Sequence, residues 1–419
     1  MIPLALISDD FTGALDTGVQ FAQYGLTVQI AALQEILDHG FTQDSVDVLV
    51  VNAETRHLPA QDAYDLTRSL IEKAICSCVS HIYIKTDSGL RGNIGCELKA
   101  ALDVSGQDFV PFLPAFPDMN RITRDGIHYI DKTPIHQSVF GMDPFEPVSS
   151  PYVKDLFKGL DVKTVNISTR EPYSTQYAEP SVGIFDVETN QDFHRIAGHL
   201  KKNNQLKIVA GCAGFAAILP EYIGFVKKAV HVPTLGKPLL TVCGSLNPIT
   251  NRQIEYAAEK GFSRIVMEPQ QILDSAYFSS TECARWLESL KSLFDKNQPI
   301  VIDTGISQPD TMQQYLRDHD IEKETARVQI ASALGELIKH FLLLDYGKNR
   351  TLMIIGGDTL LGFMRQMNLQ QISPICELEP GTVLSSILVE GENLWLISKS
   401  GGFGDDNLLE QIANKVCEK

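Results

Sequence analysis

The sequence predicts an α/β protein of two domains, each with a mainly parallel sheet flanked by helices, and three observations lead there. Short β-branched apolar runs alternate with amphipathic stretches along the whole chain. At 419 residues the chain exceeds what one hydrophobic core serves. Near the middle, His231-Val232-Pro233-Thr234-Leu235-Gly236-Lys237-Pro238 interrupts the alternation with two prolines and a glycine. The expected domains are therefore 1–232 and 238–419.

In the first domain, strands are expected at 4–7, 46–51, 82–84, 109–113, 183–187 and 207–210. In the second they are expected at 239–243, 264–267, 299–303 and 352–355, with helices at 248–260, 281–294 and 321–346. The end differs: 373–379, 382–390 and 394–398 are consecutive strand-like runs around a Gly391-Glu392-Asn393 turn, which predicts antiparallel pairing at one edge.

A formal charge of −16 and the lack of a Lys/Arg-rich run argue against nucleic acid or an anionic membrane as partner. No window approaches the roughly 20 apolar residues of a membrane span. The apolar start Met1–Ile7 lacks a basic flank and runs into Ser8-Asp9-Asp10, so it reads as a core strand and the expected location is the cytoplasm. The eight cysteines are scattered, and Cys76 and Cys78 have no second pair at zinc spacing, so free buried thiols are expected and no metal-ligand set is assigned.

In parallel sheets ligands gather at the carboxyl ends of strands, so polar motifs directly after strands are the site candidates. The first is Ser8-Asp9-Asp10-Phe11-Thr12-Gly13-Ala14. Asp9 and Asp10 can accept hydrogen bonds from substrate hydroxyls, or Asp10 can simply cap the next helix. The second is Asn52-Ala53-Glu54-Thr55-Arg56-His57, where the planar fork of Arg56 suits a carboxylate and a solvated surface arginine is the competing reading. The third, Lys85-Thr86-Asp87-Ser88-Gly89-Leu90-Arg91-Gly92-Asn93, is too polar for turn geometry alone; Lys85 and Arg91 can neutralise a carboxylate or phosphate. Pro114-Ala115-Phe116-Pro117, with Arg121, Thr123, Gly126 and His128 after it, is a candidate for a cleft wall, and His128 is read either as an acid–base group or as a packed residue. The Gly211–Ala217 turn suits either anion binding or close packing.

In the second domain, Gly244-Ser245-Leu246-Asn247-Pro248 leads from a strand into a helix with proline at its first position. Gly356-Gly357-Asp358-Thr359 does the same, combining close approach, a helix dipole that favours phosphate, and an acid able to orient Mg²⁺ or a ribose. Lys399-Ser400-Gly401-Gly402-Phe403-Gly404 is a third such turn. Three glycine-bearing strand ends imply one nucleotide site. Gly236-Lys237-Pro238 and Gly347-Lys348-Asn349 both miss the P-loop pattern, and no ordered G-x-G-x-x-G comes after the first strand.

Together, S-D-D-F-T-G-A, N-A-E-T-R, K-T-D-S-G-L-R-G-N, P-A-F-P, G-S-L-N-P-I-T, G-G-D-T and S-G-G-F-G, in that order, resemble the four-carbon acid sugar kinase family. The resemblance implies an N-terminal sugar-acid domain, a C-terminal nucleotide domain, and ATP-dependent phosphorylation of a tetronate on its terminal (C4) oxygen; Mg²⁺ is expected from the chemistry, to screen the triphosphate charge. It assigns Asp9, Arg56, Lys85, Thr86, Asp87 and Ser88 to the sugar acid, and Ser245, Gly356, Gly357, Asp358, Thr359 and Gly401 to ATP. Ser8 and Gly89 depart from common family residues without removing a charged group. The stretch Asp16-Thr17-Gly18-Val19-Gln20 resembles the D-threonate kinase branch; D-erythronate and 3-oxo-tetronate are the alternatives.

The expected mechanism is a ternary complex with the active site in the interdomain cleft. Arg56 and Lys85 anchor the carboxylate, and Asp9, Asp10 and Asp87 read hydroxyls, one of them orienting the nucleophile. The chemistry assigns catalysis to Asp10, Asp87 and Arg91. The partner is a small sugar acid, and at most a second copy in a homodimer. A non-catalytic nucleotide-dependent sensor is the rival of another class; loss of the acidic strand-end residues is its signature, and all are present. An NAD-dependent dehydrogenase lacks its fingerprint.

Overall fold

The computed structural model describes residues 2–43, 45–143, 146–168, 179–245, 247–305 and 309–417. Leu246 of the Gly244–Thr250 motif lies outside them. The chain divides into two compact units, Met1–Val230 and His231–Lys419.

The first unit contains strands β1 (Leu4–Ser8), β2 (Val28–Ala31), β3 (Val48–Asn52), β4 (His81–Lys85), β5 (Phe109–Leu113), β6 (Arg121–Arg124), β7 (Ile127–Ile130), β8 (Thr133–Pro134), β9 (Lys163–Ile167), β10 (Ser181–Phe185) and β11 (Ile208–Gly211). Its helices are α1 (Phe11–Gln23), α2 (Leu33–His39), α3 (Ala60–Cys76), α4 (Ile94–Val104), α5 (Asn190–Lys202), α6 (Ala213–Ala216) and α7 (Leu219–Tyr222). The sheet runs β2-β3-β1-β4-β11-β5-β10-β9 with every pairing parallel. A parallel strand covered by helices on both faces must be apolar throughout, which is why Leu4–Ser8, Val48–Asn52 and Phe109–Leu113 are buried at every position. After β1 the chain moves to β2 on one side, returns to β3, and crosses β1 to reach β4. This reversal opens a crevice at the carboxyl ends of β3, β1 and β4. A separate antiparallel meander, β6-β7-β8, comes after β5.

The second unit contains β12 (Leu239–Cys243), β13 (Ser263–Val266), β14 (Ile300–Asp303), β15 (Thr351–Ile355), β16 (Gln371–Glu379), β17 (Thr382–Val389) and β18 (Glu392–Lys399). Its helices are α8 (Pro248–Glu259), α9 (Pro269–Leu273), α10 (Thr281–Phe294), α11 (Pro309–Asp318), α12 (Lys323–Leu343), α13 (Asp345–Lys348), α14 (Gly357–Gln366) and α15 (Leu408–Cys417). The sheet order is β13-β14-β12-β15-β18-β17-β16. The pairings from β13 to β18 are parallel, and β18-β17-β16 fold back antiparallel. Among the described residues no helix is long and apolar enough to cross a membrane.

The fold differs from sequence expectation in three places. β2 and β9 were not anticipated; β2 is four residues long with Gln29 inside it, and β9, a sheet edge, mixes Lys163 and Asn166 with Val165 and Ile167 instead of forming an apolar run. The β6-β7-β8 meander also lies beyond the αβ alternation. Cys76 and Cys78, expected to be buried, stand exposed at the end of α3, whereas Cys212, Cys243, Cys283 and Cys376 are buried free thiols.

Candidate functional site

Register brings the first-unit motifs together. Ser8 of β1 lies opposite Asn52 of β3 on one side and Lys85 of β4 on the other, so the loops leaving all three strands start on one row. Backbone bonds then bind the loops: Ala53 N donates to Ser8 O at 2.8 Å and Arg56 N to Asp9 O at 3.2 Å. Asn93 closes the set, its Nδ2 donating to Thr55 O at 2.9 Å and Leu58 O at 2.8 Å. Leu90 is held at φ 57 with its side chain buried, an uncommon conformation for a branched residue that fixes the 85–93 loop from inside.

The side chains form a closed ionic network. Arg56 donates from Nε to Asp9 Oδ2 at 2.9 Å, and its Nη2 lies 2.8 Å from both Asp9 Oδ2 and Asp10 Oδ1. Lys85 Nζ lies 3.1 Å from Asp9 Oδ1 and 3.5 Å from Asp10 Oδ1. Arg91 Nε donates to Asp87 Oδ2 at 2.7 Å and its Nη1 to Asp143 Oδ2 at 3.0 Å. Asp10 also caps α1, accepting from Gly13 N at 2.9 Å, so the capping and the ionic readings both hold. Of the acids on this network, Asp9 has 1% of its side chain exposed and Asp10 has 24%.

Burial works against the charges of Asp10, Asp87 and Lys85, and their partners outweigh it. Asp10 is held below the usual carboxylate range by Arg56 and Lys85 despite burial. Burial likewise opposes the charge of Asp87, yet Arg56 and Arg91 hold its carboxyl far down. Asp9 and Asp10 keep Lys85 well above the ordinary lysine range against its burial. The sequence-derived picture had these cations facing a ligand; the structure turns them toward protein carboxylates. Thr86 contributes a buried hydroxyl that has no hydrogen-bond partner among the described residues. A cavity of about 420 Å³ opens beside Arg56 and Arg91 but is not lined by Asp9, Asp10 or Lys85.

Two buried groups refine this site. Glu97, on α4 and 2% exposed, accepts from Thr55 Oγ1, and burial with the nearby Asp9 charge pushes its carboxyl up to about 7. Sequence reading missed it, because an acid on an amphipathic helix ordinarily faces water. A carboxyl whose pKa is raised on folding gives stability that is complete below its unfolded value and is lost as pH rises through about 7. Glu97→Gln is therefore expected to melt higher than the parent at pH 8 and alike near pH 4; equal melting at pH 8 would remove this reading. His128 is pushed down to about 4 by burial. Its Nε2 donates to Ser88 O at 3.1 Å and its Nδ1 accepts from Thr123 Oγ1 at 3.0 Å, so it is a neutral, packed histidine that holds Ser88. The Gly211–Ala217 turn is close packing: α6 is one short turn, and a Cβ on Gly214 would meet Ala115 O at 2.9 Å.

In the second unit, Cys243 of β12 lies opposite Ile355 of β15, and Ile355 opposite Lys399 of β18. The three glycine turns therefore leave one row of adjacent parallel strands. Gly356 caps α14 at φ 108, a conformation that side chains rarely adopt. A Cβ on Gly401 would collide with Ser245 Oγ, so these two turns meet. Thr250 Oγ1 donates to Gly401 O at 2.7 Å, and Gln253 Nε2 to Phe403 O at 2.9 Å. Asn247 caps α8 through Ile249 N at 2.9 Å. Thr359 is buried on α14, whereas Asp358 is exposed and paired with Arg327 at 3.1 Å.

Lys399, which the sequence offered only as the first residue of its glycine turn and without a role, closes β18 and is 3% exposed. Its Nζ donates to Ser400 O at 2.9 Å and Gly401 O at 3.4 Å, and burial lowers its pKa to about 8. Among the described residues it has no carboxylate partner. This buried cation stands at the glycine turns, where the helix starts of α8 and α14 also favour negative charge. Among the described residues no group of three or more His, Cys, Asp or Glu is placed to hold a metal.

Residues 4–219 match the sugar-binding N-terminal domain model and residues 240–409 the nucleotide-binding C-terminal domain model. The chain is 27% identical to a D-threonate kinase of Salmonella typhimurium, over 97% of this chain and 96% of that protein. It is 25% identical to a D-erythronate kinase of Heliobacterium modesticaldum, over 99% of each. A 3-oxo-tetronate kinase of Actinobacillus succinogenes is 22% identical over 97% of this chain and 98% of its own. A solved structure from Haemophilus influenzae shares the fold at a TM-score of 0.72 and 20% identity, covering 99% of this chain and 100% of that one. With both domain models matched in order along its length, the chain belongs to the four-carbon acid sugar kinase family.

Proposed function

We propose that this protein transfers the γ-phosphoryl group of ATP to the terminal (C4) hydroxyl of a four-carbon sugar acid, with D-threonate favoured and D-erythronate or a 3-oxo-tetronate as alternatives. Family membership makes it a sugar-acid kinase. The observation that carries the reading is the buried network of Asp9, Asp10, Arg56, Lys85 and Asp87 at three adjacent strand ends of the sugar-binding unit. The reaction belongs to the cytoplasm, where ATP is supplied.

In the proposed mechanism Asp9, Arg56 and the Lys85–Ser88 segment bind the sugar acid. Asp10, the more exposed of the adjacent pair, accepts the hydrogen bond of the C4 hydroxyl and aims its oxygen. Its lowered pKa makes it a weak base, which suits phosphoryl transfer, where the loose transition state needs orientation more than early proton removal. Asp87 and Arg91, locked together, fix the loop from which Ser88 projects. Ser245, Gly356–Thr359 and Gly401 receive the triphosphate on backbone amides, and Lys399 supplies a buried positive charge beside them. Mg²⁺ would screen phosphate charge; the lone acid at the turns, Asp358, fits the small protein share that Mg²⁺ takes when phosphates supply its other oxygens.

The test is ADP release with Mg-ATP against D- and L-threonate, D- and L-erythronate and 3-oxo-tetronates. One acid is expected to exceed the others by about 10-fold or more in kcat/KM, the discrimination one paired hydroxyl supplies. ATP binding with silence across the panel would sink the four-carbon assignment.

A further inference from the structure

We propose that Arg121 is the anchor for the substrate carboxylate, a role that rests on the sugar-acid kinase reading above. The charge distribution of the first unit points to it. Arg56 and Lys85 both spend their positive charge on Asp9 and Asp10, and Arg91 spends its own on Asp87 and Asp143. A carboxylate brought against Arg56 or Lys85 would meet the negative charge of Asp9 and Asp10 at the same contact.

Arg121 stands differently. It opens β6 directly after the Pro114–Pro117 turn, and its backbone pairs with Phe116 in both directions, N to O at 3.1 Å and O from N at 2.7 Å. Its Nη1 donates to Ser88 Oγ, in the segment assigned to the sugar acid. Its guanidinium lies 5.2 Å from the centroid of Phe140, whose ring also carries Arg91 at 5.1 Å. Among the described residues it has no carboxylate partner. Nη1 is the one nitrogen of the guanidinium with a hydrogen bond there, so Nε and Nη2 keep their donors for a ligand.

The guanidinium is thus half-buried, stacked and aimed by an aromatic ring, and electrically uncompensated. That is the arrangement a planar fork needs to take both oxygens of a carboxylate. The substrate then spans two chemically distinct ends: its carboxylate on Arg121 and Ser88, its terminal hydroxyl on Asp10. Ser88 is itself fixed from behind by His128, through its carbonyl oxygen.

The test compares each acid that the parent enzyme accepts with the corresponding uncharged amide, in the parent, Arg121→Met and Arg121→Lys. Arg121→Met is expected to raise KM for the acid by about 100-fold, the scale of losing one partner of a hydrogen-bonded charge pair, with KM for ATP unchanged. It is also expected to bring acid and amide to similar kcat/KM. Arg121→Lys, which keeps charge and loses the fork, is expected to fall between. Should the methionine variant fail to fold, the lysine variant decides: an acid-to-amide preference unchanged within about 3-fold overturns the anchor. Equal loss for acid and amide in a folded variant also overturns it, because that is a merely structural role. Failure of the parent enzyme on every four-carbon acid overturns the functional reading and the anchor with it, whereas parent turnover with Arg121→Met unchanged overturns the anchor alone.

Discussion

Asp10→Asn is expected to lower kcat by about 100- to 10,000-fold while the protein stays folded, the range over which a positioned acid–base group acts. Asparagine keeps the cap on α1, since its side-chain oxygen can still accept from Gly13 N, so helix loss does not confuse the result. The substitution removes the negative charge that lies 2.8 Å from Arg56 Nη2 and 3.5 Å from Lys85 Nζ. The hydroxyl then meets an amide that neither pulls its proton nor stays fixed between the two cations. Steady-state kinetics with a melting curve and an ATP-binding measurement would check it. Turnover within about 3-fold of the parent would assign the orienting role to Asp9 or Asp87 instead.

Gly401→Val is expected to weaken ATP binding by about 100-fold or more and leave sugar-acid binding close to that of the parent, because Gly401 lies against Ser245 and Asn247 of the neighbouring turn with no room for a side chain. A Cβ at this position would collide with Ser245 Oγ and lie 3.3 Å from Asn247 Cβ. The turn would have to move away from the start of α8, breaking the Thr250 Oγ1 bond to Gly401 O and shifting the carbonyls that hold Lys399. Calorimetric titration with ATP would read the loss directly. Unimpaired ATP affinity would mean that the phosphates sit elsewhere than at these turns.

Much of this was legible in the sequence because both sheets are parallel. A parallel strand buried on two faces is an unbroken apolar run, and the residues directly after it must lie at its carboxyl end. On that ground Asp9, Arg56, Lys85, Ser245, Gly356 and Gly401 could be picked out by position. Edge strand β9 and the meander β6-β7-β8 escaped because half-exposed strands and hairpins lack that signal. Glu97 escaped, and Lys399 was named without a role, for another reason: burial of a charged residue is not encoded by its neighbours in the chain.

The sequence by itself determined the element types, the polar strand ends and the residue chemistry available at each, because these depend on local periodicity and on the few residues next to each apolar run. Only the tertiary structure decided which charges neutralise one another. Asp9, Arg56 and Lys85 meet because β1 lies between β3 and β4, a pairing of segments up to 76 residues apart. Strand order is set by long-range packing. It left Arg56, Lys85 and Arg91 compensated and Arg121 open, a distinction that no linear pattern of residues contains.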